Sequence, residues 1–324
     1  MAEKINLNSA KDDRQILSIF NVFTEDIAGG VDCRGNPAVV VLVNSLPSLS
    51  AHLDFLQQLS RVDREQWATV KLMTFAYIKS DIILNRELNT NTHEYSIRWF
   101  SSTSVIQRCG HGTLAAAAYV MKYCLEEHLP MKNTSTFMLK FHSDSEVLTV
   151  KVVKKRSSVE INSRFFILQL RQVLLVESAE ELYLNTEAYR LKENKTQEND
   201  GYLIVELGCE HEVTAFKLAK NTIATIAKRA LIITAVAKDE RFDIIFRYFA
   251  PFYGQLEDDA TGSAASVLSS FWEAHPRSGQ LRCFQASQSG GFFTIRNNVG
   301  IAYLPNKLNA IEVIGCVRLA TADS

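Results

Sequence analysis

Apolar residues along this chain come in short runs separated by polar turns, a pattern of many short strands and few long helices. Strands are predicted over Ser18–Val22, Ala38–Val43, Phe75–Ile78, Ser96–Phe100, Phe137–Phe141 and Val147–Val153. Further strands are predicted over Val159–Ile161, Tyr202–Leu207, Ala230–Val236, Phe242–Phe249, Gly291–Arg296 and Ile311–Val313. Their number and turn spacing point to antiparallel sheets or barrels. Helical periodicity is rarer. Ser50–Arg61 sets Leu53, Leu56 and Leu59 at spacing three, and Thr113–Leu125 and Ala264–Ala274 are rich in small residues. Part of Glu210–Lys228 also reads as helix, and the polar stretch Asn185–Gly201 reads as a surface loop.

The two helices of small residues are built alike. Cys109-Gly110-His111-Gly112-Thr113 opens one, and Asp258-Asp259-Ala260-Thr261-Gly262-Ser263 leads into the other. Each follows a strand ending in Arg-aromatic-Phe, Arg98-Trp99-Phe100 and Arg247-Tyr248-Phe249. This weak repeat at about half the chain length predicts two similar domains, each a helix wrapped by sheet, because an Ala-rich helix must be enclosed closely.

Size and charge narrow the function classes. A chain of 324 residues has room for two domains. A net charge of -1 argues against a nucleic-acid partner, which would call for a broad basic face. The longest apolar stretches, Ala38–Val43 and Ala230–Ala237, fall short of the roughly 20 residues of a membrane span. The polar stretch Met1–Gln15 lacks the features of a secretory or transit peptide, so a cytoplasmic protein is expected. Six scattered cysteines form no C-x-x-C pair, so neither a metal site nor a redox dithiol is expected, and most should be core residues.

The two helix starts carry the candidate chemistry. A helix N-terminus offers unpaired N–H groups and partial positive charge, and glycine lets an anion approach the backbone. His111 and Asp258, taken as the acid/base groups at the two starts, would supply a proton donor and acceptor for one carboxylate-bearing ligand. Taken singly, His111 reads as a helix cap, Asp258 as an acid favoured by the helix dipole, and Cys109 as a small buried residue; the repeat favours function.

These segments resemble the PhzF family, a branch of the diaminopimelate-epimerase fold. Cys109-Gly110-His111-Gly112-Thr113-Leu114-Ala115-Ala116 is similar to its CGHATLAxA segment. Arg247-Tyr248-Phe249-Ala250-Pro251, followed by Glu257-Asp258-Asp259-Ala260-Thr261-Gly262-Ser263-Ala264, is similar to RxFAP…EDPATGSA. Gly35-Asn36-Pro37-Ala38-Val39-Val40 is similar to GNPAAV, and Gln288-Ser289-Gly290-Gly291 to an RGG turn with Ser289 for Arg. The resemblance implies an α+β protein of two pseudo-symmetric domains, each a central helix in a curled, mostly antiparallel sheet. We set the domains at 16–130 plus 300–324 and at 131–299. It also implies a site between the domains, a homodimer, and no metal or organic cofactor. The implied activity is an isomerase or epimerase reaction by proton transfer on a small carboxylate-bearing metabolite. His111, Asp258 and Ser263 fall on active-site positions. Cys109, Gly110, Gly112, Thr113, Thr261 and Gly262 are expected to bind the substrate.

The departures are specific. With Phe75 as anchor, Leu72 stands where the family carries a catalytic Glu, and a leucine holds no proton. Anchoring on the preceding helix instead brings Glu65 into consideration. Ser101-Ser102-Thr103-Ser104-Val105 replaces Thr-Pro-x-x-Glu, and Asp259 replaces Pro. A catalytically degenerate member that binds a metabolite or a protein partner is therefore the alternative. A two-thiol racemase is the other relative to weigh. It would need a second cysteine matching Cys109, a place we assign to Asp258. The G-x-G-x-x-A run at Gly110–Ala115 lacks the strand that a dinucleotide fingerprint requires, and no G-x-S-x-G elbow supports a hydrolase.

Overall fold

The computed structural model describes residues 17–27, 31–62, 64–80, 92–125, 137–153, 163–171, 176–184, 187–193, 202–218, 230–250, 256–273, 279–296 and 310–320. In chain order the first elements are β1 (Leu17–Val22), β2 (Glu25–Ile27), β3 (Val31–Cys33) and β4 (Asn36–Leu42). Then come α1 (Leu49–Val62), α2 (Arg64–Val70), β5 (Thr74–Ser80), β6 (Thr92–Phe100), β7 (Val105–Ile106) and α3 (Gly110–Tyr119). The strands β8 (Phe137–His142), β9 (Val147–Val153), β10 (Ser163–Arg171), β11 (Val176–Leu184) and β12 (Glu187–Glu193) follow. The chain continues with β13 (Tyr202–Glu206), α4 (Glu210–Ala215), β14 (Ala230–Val236), β15 (Ile244–Phe249) and β16 (Glu257–Asp258). It closes with α5 (Ala265–Phe271), β17 (Gln280–Gln285), β18 (Gly291–Arg296) and β19 (Ala310–Leu319). The predicted strand at Val159–Ile161 lies outside the described residues.

Contacts divide the chain into two units. One holds residues 1–22, 37–168 and 316–324; the other holds 23–36 and 169–315. β8 and β9 belong to the first unit, beyond the boundary at residue 130 expected from sequence.

Within the first unit, β4 pairs parallel with β5 and β5 antiparallel with β6. β6 then pairs antiparallel with β7 and parallel with β8, and β8 antiparallel with β9. The second unit repeats this order. β13 pairs parallel with β14, β14 antiparallel with β15, β15 antiparallel with β16 and parallel with β17, and β17 antiparallel with β18. In each unit the helix of small residues follows the short strand. The repeat seen in two motifs thus runs through five pairings, three of them antiparallel in each unit, as a mostly antiparallel sheet requires.

The register gives residue equivalences. Phe100 faces Val105 and Trp99 faces Ile106, while Phe249 faces Glu257 and Tyr248 faces Asp258. Asp258 is therefore the counterpart of Ile106. Three residues further on, the helix N-caps Cys109 and Thr261 correspond, and next come Gly110 with Gly262 and His111 with Ser263. This corrects the placement of Asp258 opposite Cys109 and of His111 with Asp258 as matched groups. The two motifs share their glycine, and only the second carries an acid ahead of it, where the first has Ile106.

Each helix of small residues is enclosed. Every residue of α3 is buried, and it packs on β1, β5 and β9. It begins at Gly110, three residues before the predicted start, and continues as a π turn over Val120–Leu125. The second helix opens as a 3-10 turn, Gly262–Ala264, and its α-helical part ends at Phe271, short of the predicted Ala274. On α1 the buried face is His52, Leu56 and Leu59, and Leu53 is exposed. Spacing three drifts around a helix, whereas positions i, i+4 and i+7 stay on one side.

Other sequence expectations also change. The stretch read as a loop, Asn185–Gly201, contains β12, which pairs with both β11 and β13. Its alternation of Tyr189 and Leu191 with Arg190 and Lys192 is a strand signal diluted by charge. β10, β11, β17 and α2 were not anticipated. α4 covers the start of the helical stretch predicted after Glu210, and residues 219–229 lie outside the described set.

Candidate functional site

At the first helix start, Cys109 is the N-cap of α3, in extended backbone (φ -138°, ψ 104°), and its sulfur accepts the Gly112 N–H at 3.3 Å. The His111 ring lies against that sulfur, Nδ1 at 3.5 Å and Nε2 at 3.8 Å. Cys109 and His111 are both buried, at 5% and 7% exposure. The Thr113 hydroxyl donates back to the Cys109 carbonyl at 2.6 Å, holding the first turn closed. Gly112 is required by close approach. A Cβ there would lie 2.9 Å from Trp99 Cδ1 and 3.1 Å from Cys109 Sγ. Trp99, noted in sequence only as part of the Arg98-Trp99-Phe100 motif, thus borders the helix start. Its indole N–H is buried and has no hydrogen-bond partner.

The loop ahead of this start, Ser101–Ser104, is tied from below by His52. Its Nε2 is 3.0 Å from the Ser101 carbonyl and its Nδ1 2.9 Å from the Tyr77 hydroxyl. Because a carbonyl only accepts, Nε2 carries the proton and Nδ1 accepts from Tyr77. The ring stacks on Phe100 at 4.6 Å. Burial lowers the His52 pKa, and the Ser101 contact opposes this in part. Leu72, at the place of the family's glutamate, sits in the turn before β5 and is 66% exposed. Glu65 belongs to α2, but its side chain is outside the described set.

In the second unit, Asp258 is held by three donors. Oδ1 accepts from Asn36 Nδ2 at 2.7 Å and from the Asp259 N–H at 3.2 Å, and Oδ2 accepts from the Thr261 hydroxyl at 2.6 Å. Asn36 also donates to the Ala260 carbonyl, which gives the Gly-Asn-Pro motif its role. Gln285, fully buried on β17, receives the Thr261 N–H at 2.7 Å and donates to the Asp258 carbonyl at 2.5 Å. A lone glutamine offered no signal in sequence. Gly262 leaves room for Phe23, since a Cβ would lie 2.5 Å from its Cζ. Ser263, half-buried, stands one residue further on.

Asp259, in place of the family's proline, is half-buried, and its pKa is raised. Burial is the main cause and repulsion from Asp258 the next, with hydrogen bonds from Ser289 opposing them. Glu257 is neutralised by a two-pronged pairing with Arg247, at 2.6 and 2.7 Å.

The structure thus brings Cys109, Gly110, His111, Gly112 and Thr113 together at one helix start. Asp258, Thr261 and Gly262, followed by Ser263, form the other. Among the described residues no cluster of His, Cys, Asp and Glu could hold a metal ion, and no helix is long and apolar enough to cross a membrane.

The family model described as "Phenazine biosynthesis-like protein" matches residues 20–316. The chain is 27% identical to phenazine biosynthesis-like domain-containing protein 1 of Mus musculus, over 83% of this chain and 89% of the relative. Among solved structures, a PhzF-family phenazine biosynthesis protein of Enterococcus faecalis superposes with TM-score 0.66 at 21% identity, covering 94% of this chain and 96% of that one. A hydroxyproline epimerase of Agrobacterium vitis, bound to trans-4-hydroxy-L-proline, superposes with TM-score 0.52 at 9% identity, covering 95% and 93%.

Proposed function

Given that the chain belongs to the phenazine biosynthesis-like (PhzC-PhzF) family, we propose that it is an isomerase or epimerase that moves a proton on a small carboxylate-bearing metabolite. The observation that carries this reading is the pair of helix starts. One holds the buried His111 against Cys109 at the head of α3, and the other holds Asp258 in a fixed hydrogen-bonded frame. His111 and Asp258 act as the proton-transferring groups. Ser263 and the backbone N–H groups at Gly110 and Gly262 hold the carboxylate, with Cys109, Gly112, Thr113 and Thr261 shaping the two turns. Likeness to the family implies neither a metal nor an organic cofactor for such chemistry.

The test is deuterium uptake. Candidate carboxylates are incubated with the protein in heavy water, and exchange at carbon is read by mass spectrometry. Exchange is expected, and His111→Asn and Asp258→Asn should each lower it by roughly 10²–10⁴-fold. Absence of exchange with every carboxylate tried, together with undiminished ligand binding by the variants, would sink this reading.

One observation favours a second reading. The exposed Leu72, and Ser101–Val105 in place of an acid-bearing segment, leave two family carboxylates unfilled. A family member retained for binding would hold a carboxylate without exchanging its protons, which the same measurement separates. The remaining expectations, a cytoplasmic homodimer without a nucleic-acid or membrane partner, rest on family likeness and composition.

A further inference from the structure

We propose that Asp144, in the turn between β8 and β9, is a positioning residue for the first helix start: it gives Arg98 the carboxylate that the strand after it lacks, and so fixes the path of the chain into Cys109 and His111. What concerns turnover rests on the isomerase reading. By register, Arg98 is the counterpart of Arg247, and Val105 the counterpart of Glu257. Arg247 directs Nε and Nη2 to Glu257, at 2.6 and 2.7 Å, and Nη1 to the Phe216 carbonyl at 2.7 Å. Arg98 uses its three nitrogens alike. Nη1 donates to the Pro47 carbonyl at 2.9 Å. Val105 has no side-chain acceptor, and Nε and Nη2 donate instead to Asp144, at 3.0 and 2.9 Å.

The turn that brings Asp144 holds the same stretch of chain at two further points. The Ser143 hydroxyl donates to the Glu146 carbonyl at 2.9 Å and accepts the Glu146 N–H at 3.1 Å, which closes the turn. The Ser145 hydroxyl donates to the Gln107 carbonyl at 3.5 Å. Glu146 pairs through both oxygens with Arg108, the residue before Cys109. Three successive residues thus grip the chain before and after the Ser101–Ser104 loop.

The second unit places its acid differently. The turn Ala286–Gly290, between β17 and β18, carries no carboxylate, and Glu257 answers Arg247 from within the hairpin. One acid serves each arginine, from the following strand in one unit and from the turn in the other. The acid missing at Val105 is thereby replaced in space. A two-pronged arginine–carboxylate pair fixes direction as well as distance. The Arg98 and Asp144 side chains are 28% and 67% exposed, and water screens such a pair, so it adds little to global stability. Its effect is local, on the segment it spans.

The test uses the full chain. Amide hydrogen exchange over residues 101–113 is followed by mass spectrometry in the wild type, in Asp144→Ala and in Asp144→Ala combined with Val105→Glu. Asp144→Ala is expected to speed exchange across this stretch by roughly tenfold, through local opening, with the thermal midpoint and residues 230–250 unchanged. Adding Val105→Glu should restore protection, because the hairpin then carries its own acid as in the second unit. Unchanged exchange in Asp144→Ala, or no restoration, overturns the proposal. If the combined variant does not fold, a cycle of Arg98→Ala and Asp144→Ala decides: coupled effects support the pairing and additive effects overturn it. On a carboxylate that takes up deuterium, Asp144→Ala should lower kcat by roughly tenfold or more with KM unchanged, because a misplaced acid/base group slows the chemical step. Val105→Glu should restore that rate as well, and an unaltered kcat in Asp144→Ala removes the positioning role. Should no carboxylate exchange in the wild type, the isomerase reading fails while amide exchange still reports on the pairing.

Discussion

At the scale of single residues, the second helix start shows how one replacement changes a site. Proline at position 259 would contribute no charge. Aspartate there is half-buried next to Asp258 and keeps its proton to higher pH in the folded protein than in the unfolded chain. Folding therefore takes up a proton above pH 3.8, the ordinary value, and stability falls as pH rises through that window. Asp259→Asn is expected to raise the Tm at neutral pH, with the gain fading below pH 3.8; thermal melts across pH check it. Phe23 is a second local device. It adopts a left-handed backbone (φ 65°) while its ring fills the space above Gly262 and Gly315 and meets Phe293 at 5.1 Å. Such a backbone costs on the order of 1–2 kcal/mol for a non-glycine residue, which the packing of the ring offsets.

At the scale of elements, α1 does more than cover β5. Its apolar face carries His52, and that ring couples the helix to the Ser101–Ser104 loop leading towards Cys109. Burial favours the neutral ring, so the unfolded chain takes up a proton first on acidification. Stability from this group is complete above pH 6.5 and is lost as pH falls from there towards the lowered folded value. Urea unfolding from about pH 7.5 to about pH 5 should show the wild type losing stability relative to His52→Gln; parallel curves would remove His52 from the account. Arg98 and Arg247, equivalent by register, play matching parts. Each reaches a backbone carbonyl beyond its own strand, Pro47 for Arg98 and Phe216 for Arg247, and each pairs with a carboxylate. The Arg247 pair is the better shielded. Arg247→Ala is expected to cost roughly 1–3 kcal/mol in chemical denaturation, because it removes charge-assisted hydrogen bonds to half-buried acceptors.

For the molecule as a whole, two units share one order of strand pairing but not one set of side chains. The first unit presents a thiol and an imidazole at its helix start. The second presents a hydroxyl and a carboxylate. Duplicated architecture therefore does not impose duplicated chemistry on the two helix starts. Family likeness also implies a pair of chains. Sedimentation is expected to give twice the 36.4 kDa chain mass, and a monomer at micromolar concentration would contradict that expectation.

How much was legible in sequence depended on the kind of signal. Apolar alternation in β18 and apolar runs in β9 and β14 located these strands to the residue, because such patterns are local in sequence. The Gly-containing helix starts were likewise plain, since only glycine permits the contacts at Gly112 and Gly262. Tertiary structure decided the rest. Strand register showed that Asp258 answers to Ile106 and Thr261 to Cys109, and fixed which of the polar residues ahead of each glycine correspond. Gln285, Trp99 and His52 joined the site through partners 24 or more residues away or through an unpaired donor. The physical reason is that periodicity is a property of neighbours in sequence, whereas hydrogen bonding and burial are properties of neighbours in space.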